Sequence, residues 1–304
     1  PHPTPPPRPP PPRPPPRPPA PPPPPTGPHQ GTHLALPLVH GPASDLSGED
    51  SALLASLEGK RGIPRIRPPF PVTHGYRGCP TVVNNVETFA YAAGIAADGP
   101  EFFKQDDAPR GWKLVSISGD CRSPGIYEMP VGTTVGEALQ ACGAEDVQAI
   151  QVGGPGGTLL AAHEVDRELS FDDTNTGGSF MIFDRSRDML DVAQNFTNFF
   201  AHESCGFCTP CRVGTKLMAN MAKKIAAGHG ARLDIEQMQR VHKLMTQASH
   251  CGLGQSAAVP ILTTYEKFPE AFRQRMEDVE YKPAFDVEAA IERSRQIVAE
   301  EAQS

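Results

Sequence analysis

The sequence contains no hydrophobic run near the roughly 20 residues that a transmembrane helix needs, so we expect no direct insertion into a membrane. The opening residues show no hydrophobic stretch before a cleavage site, and we therefore expect no signal peptide. Positive charge is not in excess either, because the formal net charge is −7. That balance argues against nucleic acid as the main partner.

Proline is scarce outside one segment of the chain. Twenty of the 36 prolines fall within residues 1–30. Each proline ring fixes φ and removes a backbone donor, so we expect residues 1–35 to be a disordered, extended polyproline segment. Such a segment could be a PxxP docking site for an aromatic-lined groove or a plain linker. It could also be misread coding sequence in place of the natural N-terminus.

Residues 36–108 form the next predicted region. Residues 51–58 have apolar positions typical of a short helix, and a glycine-flanked basic turn follows them. Asn84 and Asn85 precede a second apolar run over residues 89–95, where an asparagine usually caps a helix. Adjacent side-chain amides could also bind a phosphate or the edge of a flavin ring.

Residues 109–186 are predicted to be a small β-rich unit. Alternating apolar and polar residues indicate four strands, at 112–119, 125–129, 147–152 and 179–183. Residues 133–142 have the spacing of a helix. The glycine-rich run at residues 153–157 could be a dinucleotide-binding loop, but its proline and the lack of a following helix favour a plain turn.

From residue 187 onward the pattern is helical. Apolar residues at spacings of three and four predict four amphipathic helices. Their apolar stripes are Met189, Val192, Ala193, Phe196 and Phe200; Leu217, Met218, Met221 and Ile225; Ile235, Met238, Val241, Met245 and Ala248; and residues 261–272. Short connections suggest an antiparallel four-helix bundle over residues 187–280. We expect residues 281–304 to form a further amphipathic helix or tail.

The seven cysteines carry the clearest chemical signal. Cys205, Cys208 and Cys211 form a CxxCxxC triplet, and Cys251 follows after 39 intervening residues. In a cytosolic chain such spacing indicates metal ligation or redox chemistry rather than disulfides. A triplet suits one face of a [4Fe–4S] cluster with a remote cysteine at the last corner, whereas structural zinc sites usually pair two CxxC knuckles. We expect a [4Fe–4S] cluster, with zinc binding or free thiols as the alternatives.

Residues 202–212, which read His-Glu-Ser-Cys-Gly-Phe-Cys-Thr-Pro-Cys-Arg, resemble the cluster motif in the family of NADH-binding flavoprotein subunits. That family spans the NADH-oxidising subunit of respiratory complex I and the diaphorase subunits of NAD-linked soluble hydrogenases and formate dehydrogenases. Residues 57–88 are similar to the family's flavin-site stretch, and residues 251–254 are similar to the segment with the fourth cluster ligand. The resemblance covers residues 48–276.

The resemblance implies an α+β fold with three parts. These are a remnant of a flavin-binding domain, a ubiquitin-like β-grasp domain and a C-terminal four-helix bundle that carries the iron–sulfur cluster. They correspond to a partial FMN/NADH-binding region at 36–108, a soluble-ligand-binding-like domain at 109–186 and the bundle at 187–280. Two features depart from the family pattern. The proline tract stands where the family's glycine-rich loop is expected, and Asp45 stands at an aromatic position.

The resemblance also implies which residues bind the cofactors. The implied cluster ligands are Cys205, Cys208, Cys211 and Cys251. The residues implied to line the FMN phosphate and ring are Gly48, Glu49, Asp50, Val83, Asn84, Asn85 and Thr88. Leu253 is implied to approach the flavin from the cluster side, and Glu49 is implied to contact the nicotinamide of NADH as well. No side chain is assigned a catalytic role.

By the same resemblance, the chain is a subunit of an NAD(H)-dependent oxidoreductase complex that passes electrons between NADH, FMN and a [4Fe–4S] cluster. The implied partners are a small [2Fe–2S] thioredoxin-like subunit and a larger iron–sulfur electron-transfer subunit. They belong to a hydrogenase, a formate dehydrogenase or a complex I module. Such a chain is expected in the cytoplasm, either free or held at a membrane through its complex.

Two other functions stay open. The first is a truncated subunit with only a cluster-relay or assembly role, which the missing glycine-rich loop suggests. The second is a zinc-stapled binding module without redox chemistry. For this chain alone we expect little or no NADH oxidation.

Overall fold

The computed structural model describes residues 38–41, 44–104, 108–284 and 287–301. The predicted polyproline segment, residues 1–35, lies outside these ranges. Within them, helices occur together with one mixed sheet, which confirms the mixed helix-and-sheet character expected from the sequence. None of the helices in these ranges is both long and apolar enough to span a bilayer.

The first part of the described chain forms short helices. A 3₁₀ turn at Asp45–Gly48 leads into helix α1 (Asp50–Leu57), and helix α2 is the single turn Pro71–His74. The Glu49 carboxylate caps α1 by accepting the Ala52 N–H at 2.7 Å. The inward face of α1 is buried and consists of Ser51, Ala52, Leu54 and Ala55.

Helix α3 (Val86–Asp98) follows this short-helix region. As the sequence predicted, an asparagine caps it: the Asn85 side chain accepts the Glu87 N–H at 2.8 Å. The helix is tied to the next region because Glu87 forms an ion pair with Lys113 and accepts the Leu114 N–H at 2.8 Å. Although α3 is rich in apolar residues, none of its residues is buried.

The middle of the chain forms a five-stranded sheet within the described residues. Its elements are β1 (Trp112–Gly119), β2 (Gly125–Pro130), helix α4 (Val135–Ala141), β3 (Val147–Val152), β4 (Thr158–Ala161) and β5 (Ser179–Asp184). The strand order is β2-β1-β5-β3-β4, with β1 and β5 parallel and the other neighbouring pairs antiparallel. The four predicted strands are confirmed. The sequence did not predict β4, which follows the glycine-rich turn at residues 153–157.

Helix α4 packs on this sheet. A capping box fixes its start, because Thr134 and Glu137 each accept a hydrogen bond from the other's backbone N–H. The helix contributes Val135, Ala138 and Leu139 to a core that it shares with the five strands. The buried strand residues of that core are Val115, Ile117, Met129, Ile150, Val152, Leu160, Phe180 and Ile182.

The C-terminal region is built from helices. They are α5 (Met189–Glu203), α6 (Thr209–Lys224), α7 (Arg232–Ala248), α8 (Gly252–Ser256), α9 (Val259–Lys267) and α10 (Pro269–Arg273). The first three predicted helices are confirmed, and eight residues of their apolar stripes are buried in one core. Leu217 and Ala248 are exceptions, since both are exposed.

The fourth predicted helix, residues 261–272, is wrong as a continuous element. The structure divides it into α9 and α10 at Phe268, which has φ −129° and ψ 55°. Pro269 explains the break, because a proline cannot donate the helical hydrogen bond and disfavours a helical residue before it. A final helix, α11 (Val287–Glu301), agrees with the predicted C-terminal helix.

Candidate metal centre

Four cysteines from two distant parts of the sequence line one small cavity, called here the four-cysteine cavity. It lies where α5 and α7 end and where α6 and α8 begin. Its lining residues are Leu46, Pro64, Cys205, Phe207, Cys208, Cys211, His250, Cys251 and Leu253. The structure therefore brings together the four cysteines that the sequence singled out.

The CxxCxxC triplet occupies the connection between α5 and α6. Cys205 follows α5 closely, Cys208 is the N-cap of α6, and Cys211 lies in the first turn of that helix. Gly206 has a φ of +76°, which residues with a side chain rarely adopt, so it allows the turn between the first two cysteines. Arg212 closes the turn by donating to the Gly206 carbonyl at 2.8 Å.

Cys251 reaches the cavity from the opposite side, as the N-cap of α8. Leu253 and Gly254 follow it in the first turn of that helix. Gly254 also permits close contact between α8 and α6, because a Cβ at residue 254 would lie 2.8 Å from the Cβ of Cys211. A glycine at this position is thus needed to bring the remote cysteine next to the triplet.

Burial affects the protonation of these thiols. It raises the pKa of Cys211 to about 11, against the opposing effect of a hydrogen bond with the Ser204 hydroxyl. Burial also raises the pKa of Cys251, although the N–H groups of Leu253 and Gly254 act in the other direction. Metal ligands must be thiolates, and a bound cation removes their protons. Four thiolates can therefore share this cavity when positive charge lies between them.

Residues from the first part of the chain form hydrogen bonds with the loops that carry the cavity cysteines. Arg61 donates to the carbonyl of Cys205 at 2.8 Å. His250 Nε2 lies 3.1 Å from the carbonyl of Arg65, and since a carbonyl only accepts, the imidazole is the donor. The ring of His250 meets that of Phe207 edge to face, with centroids 5.3 Å apart. These contacts join residues 61–65 to the cysteine-containing loops.

The donor set is all sulfur, and its spacing distinguishes two kinds of metal centre. In the described ranges, no three or more His, Cys, Asp or Glu side chains surround one point as a single ion requires. A tetrahedral zinc site places every sulfur about 2.3 Å from the ion. A [4Fe–4S] cluster instead spreads its thiolate ligands over separate iron corners. Four thiols that line one cavity without an ion-sized common centre fit the cluster.

The residues implied to bind flavin lie on two separate elements. Gly48, Glu49 and Asp50 stand at the start of α1. The Glu49 carboxylate there accepts the Ala52 N–H, and it lies 2.5 Å from the guanidinium of Arg67. Asp50 lies 3.4 Å from the same guanidinium. Both carboxylates are therefore engaged by contacts within the chain.

The second set lies beside α3. Asn84 and Asn85 are exposed and make local hydrogen bonds: Asn84 accepts the N–H of Asn85, and Asn85 caps the helix. Val83 is in the same loop, and Thr88 is exposed on the first turn of α3. Leu253 differs from all of these, because it is buried and lines the four-cysteine cavity.

Several residues of the cavity were not predicted from the sequence. Leu46, Pro64 and Arg61 lie more than a hundred positions before the triplet, so no local pattern links them to it. His250 and Phe207 are adjacent to the ligand cysteines, and their positions beside or inside the cysteine motifs could have marked them. Proximity in sequence was a usable signal for these two residues only.

Two family models match parts of the chain. The model described as the NADH-ubiquinone oxidoreductase-F iron-sulfur binding region matches residues 191–275, which include all four cavity cysteines. The SLBB domain model matches residues 114–158, which lie in the sheet region. The match that contains the cysteines is named for iron–sulfur binding, in agreement with the donor set.

The chain is also similar to whole proteins. It is 41% identical over 256 residues to the NAD-reducing hydrogenase HoxS subunit alpha of Cupriavidus necator, covering 83% of this chain and 42% of that protein. It is 36% identical over 253 residues to an NADH-quinone oxidoreductase subunit of Mycobacterium tuberculosis, covering 79% of this chain and 57% of that protein.

A solved structure gives the same picture. A chain of the H2-reduced NAD+-reducing [NiFe]-hydrogenase superimposes with a TM-score of 0.81 and 42% sequence identity, covering 85% of this chain and 46% of that chain. This chain therefore spans about half the length of the curated relatives and the solved structure that it matches.

Proposed function

Since this partial chain belongs to the family of NADH-oxidising flavoprotein subunits, we propose that it is an electron-transferring subunit of an NAD(H)-dependent oxidoreductase complex. The electrons pass between NADH, FMN and a [4Fe–4S] cluster. One observation carries the proposal: Cys205, Cys208, Cys211 and Cys251 line a single cavity within the matched iron–sulfur region.

The cofactors supply the redox chemistry, because a flavin exchanges two electrons with NADH and one at a time with an iron–sulfur cluster. The chain supplies the ligands and the electrostatic surroundings. Cys205, Cys208, Cys211 and Cys251 are the proposed cluster ligands. The N-terminus of α6 places positive charge at the cavity, which favours the more negative, reduced state.

The flavin and nicotinamide contacts are part of the same proposal. The residues assigned to the FMN phosphate and ring are Gly48, Glu49, Asp50, Val83, Asn84, Asn85 and Thr88. The exposed amides of Asn84 and Asn85 support this assignment, since their local hydrogen bonds use the side-chain oxygens rather than the N–H₂ groups. Glu49 is assigned to the nicotinamide as well, and Leu253, at the cavity wall, to the flavin side of the cluster.

We assign the parts of the chain accordingly. Residues 36–108 are a partial FMN/NADH-binding region, residues 109–186 a β-grasp domain and residues 187–280 the cluster-holding bundle. The mixed sheet, with its parallel β1 and β5 beneath α4, supports the second assignment. The proposed partners are a small [2Fe–2S] thioredoxin-like subunit and a larger iron–sulfur electron-transfer subunit of a hydrogenase, formate dehydrogenase or complex I module. A cytoplasmic location, free or complex-associated, follows from those partners.

A second candidate function is a cluster relay that no longer performs hydride transfer. It is favoured by the exposed positions of Asn84 and Asn85, beside a helix in which no residue is buried. The zinc-stapled binding module has no comparable support, because no single-ion arrangement of ligands occurs among the described residues.

Steady-state NADH oxidation separates the two candidates. The reconstituted chain is given FMN and NADH, with ferricyanide as acceptor. We expect little or no NADH oxidation by this chain alone, while its dithionite-reduced cluster is still reoxidised by ferricyanide. Steady NADH turnover would show that the chain is a complete enzyme. A chain that gives neither reaction would contradict the electron-transfer proposal itself.

A further inference from the structure

Cys211 has a hydroxyl group as a direct neighbour. The Ser204 Oγ lies 3.2 Å from the Cys211 Sγ. Ser204 is itself held in place, because its N–H donates to the Phe200 carbonyl at 3.1 Å and its Oγ accepts the Gly206 N–H at 3.4 Å. The hydroxyl proton of Ser204 is thereby left for the sulfur.

A second hydroxyl lies near the same residue. Ser249 is 7% exposed, and its Oγ has no hydrogen-bond partner within the described residues. A Cβ added to Gly254 would lie 2.5 Å from this Oγ and 2.8 Å from the Cβ of Cys211. Both atoms are thus within 3.0 Å of one point, which places the free hydroxyl near the Cys211 side chain, although Ser249 Oγ forms no hydrogen bond with the Cys211 sulfur.

A buried hydroxyl without a partner is unfavourable, since it has given up its bonds to water. The backbone of Ser249 is well held, with its N–H donating to Met245 and its carbonyl accepting from Gln255. Its side chain therefore has no structural role among the hydrogen bonds of this region. Since the Cys211 sulfur is not a partner of this hydroxyl, the acceptor that the proposed cluster would supply near Cys211 is one of its own sulfurs.

We infer that the Ser204 hydroxyl donates to the Cys211 sulfur and the Ser249 hydroxyl to a sulfur of the cluster beside it, and that both keep the reduction potential of the cluster high. This inference rests on the proposed cluster. An iron-bound thiolate carries no proton, so the hydroxyl must be the donor in the contact with Cys211. Reduction adds negative charge to the sulfurs, and hydrogen bonds to them strengthen as it does. Ser204 and Ser249 are positioning residues that tune the potential.

The experiment is a redox titration of the reconstituted full chain, followed by the EPR signal of the reduced cluster. Ser204→Ala and Ser249→Ala should each move the midpoint potential to a more negative value, and the double variant should move it further. Ser204→Thr, which keeps the hydroxyl, should restore the wild-type potential. Ser256→Ala is the matched control, because that hydroxyl donates to the Gly252 carbonyl within α8.

Unchanged potentials in both alanine variants, with full iron content, would overturn the inference. Thermal unfolding of the cluster-free protein gives a second readout. Since Ser249 Oγ has no partner among the described residues, Ser249→Ala should not lower that unfolding temperature, and a clear decrease would assign it a structural role instead. A wild-type chain that assembles no cluster would contradict the proposed function. That outcome differs from a cluster whose reduction potential does not change when the two serines are substituted, which contradicts only this inference.

Discussion

The two regions with proposed cofactor residues differ in how completely this chain surrounds them. At the four-cysteine cavity, Cys211 is 5% exposed and the adjoining core contains fully buried side chains such as Phe272. On α3 no residue is buried, and Phe89 is 50% exposed. The cavity takes its ligands, its hydroxyl donors and its packing from one continuous core. The exposed amides beside α3 belong to no such core.

This difference indicates which functional assignment depends on the chain's own fold. The proposed cluster ligands are held by α5, α6 and α8, so their geometry should survive in this chain by itself. The proposed flavin residues stand on a short loop, where their hydrogen bonds are local, and at the start of α1, where Glu49 also pairs with Arg67. Matched variants in the two regions test that contrast.

Removal of one cluster ligand should have the largest effect. Cys208→Ala is expected to abolish the native [4Fe–4S] cluster and to destabilise the bundle, because three sulfurs cannot complete the ligand set. Iron and acid-labile sulfide, measured after anaerobic reconstitution, check this. Cys79→Ala is the control, since that thiol is exposed and does not line the cavity. Unchanged iron content and absorbance in Cys208→Ala would refute the ligand assignment.

Two phenylalanines compare the cores directly. Phe272→Ala removes a fully buried ring that packs on Tyr265 with centroids 5.2 Å apart, and should cost about 3–5 kcal/mol of unfolding free energy. Phe89→Ala truncates a half-exposed ring on α3 and should change stability by no more than about 0.5 kcal/mol. Denaturant titration of both variants provides the measurement. Equal losses would mean that α3 is packed as firmly as the bundle.

A pair of glycines in one short helix tests the close contact behind the cavity. Gly254→Ala places a Cβ 2.5 Å from Ser249 Oγ and 2.8 Å from Cys211 Cβ, so we expect a loss of about 1–3 kcal/mol from overpacking. Gly252→Ala meets no atom within 4 Å and should leave stability unchanged or slightly higher. The melting temperatures of the two variants are compared with that of wild type. An unchanged melting temperature for Gly254→Ala would disprove the close contact between α8 and α6.

The smallest effect concerns the ion pairs of Glu58 before α3, in which the Glu58 side chain is 7% exposed and its partner Lys60 is 69% exposed. The pKa of Glu58 is lowered from 4.5 to about 2 by hydrogen bonds. The bond from Lys60 has the largest effect, and Arg65 and the Arg77 N–H donate the others. A lowered folded-state pKa means that the stabilisation is complete above pH 4.5 and disappears as the pH falls through about 2. Glu58→Gln should therefore lower the free energy of unfolding near neutral pH by less than about 1 kcal/mol. This difference in unfolding free energy should disappear in acid, and a difference that persists near pH 2 would argue against its ionic origin.

The sequence singled out the cysteines that line the cavity because most of their pattern is local. Cys205, Cys208 and Cys211 occupy one turn, and the spacing alone distinguishes a triplet from paired zinc knuckles. Strands such as β1 and β3 were also readable, since alternation over six to eight residues is a strong pattern. The four residues of β4 were too few to show it.

Long-range contacts could not be read in the same way. The proximity of Ser249 to Cys211 arises only when α8 folds against α6, and Leu46 joins the cavity from more than 150 positions upstream. The break between α9 and α10 was visible in principle, because Pro269 lies inside the predicted helix. At this position the proline, rather than the apolar spacing, determines where the helix ends.

The most direct test of the proposed cluster is metal and sulfide analysis of the anaerobically reconstituted chain, combined with alkylation of its free thiols. A [4Fe–4S] centre predicts about four iron and four sulfide per chain, with Cys205, Cys208, Cys211 and Cys251 protected and Cys79 alkylated. One zinc per chain, or a Cys251 that reacts while the triplet stays protected, would contradict it.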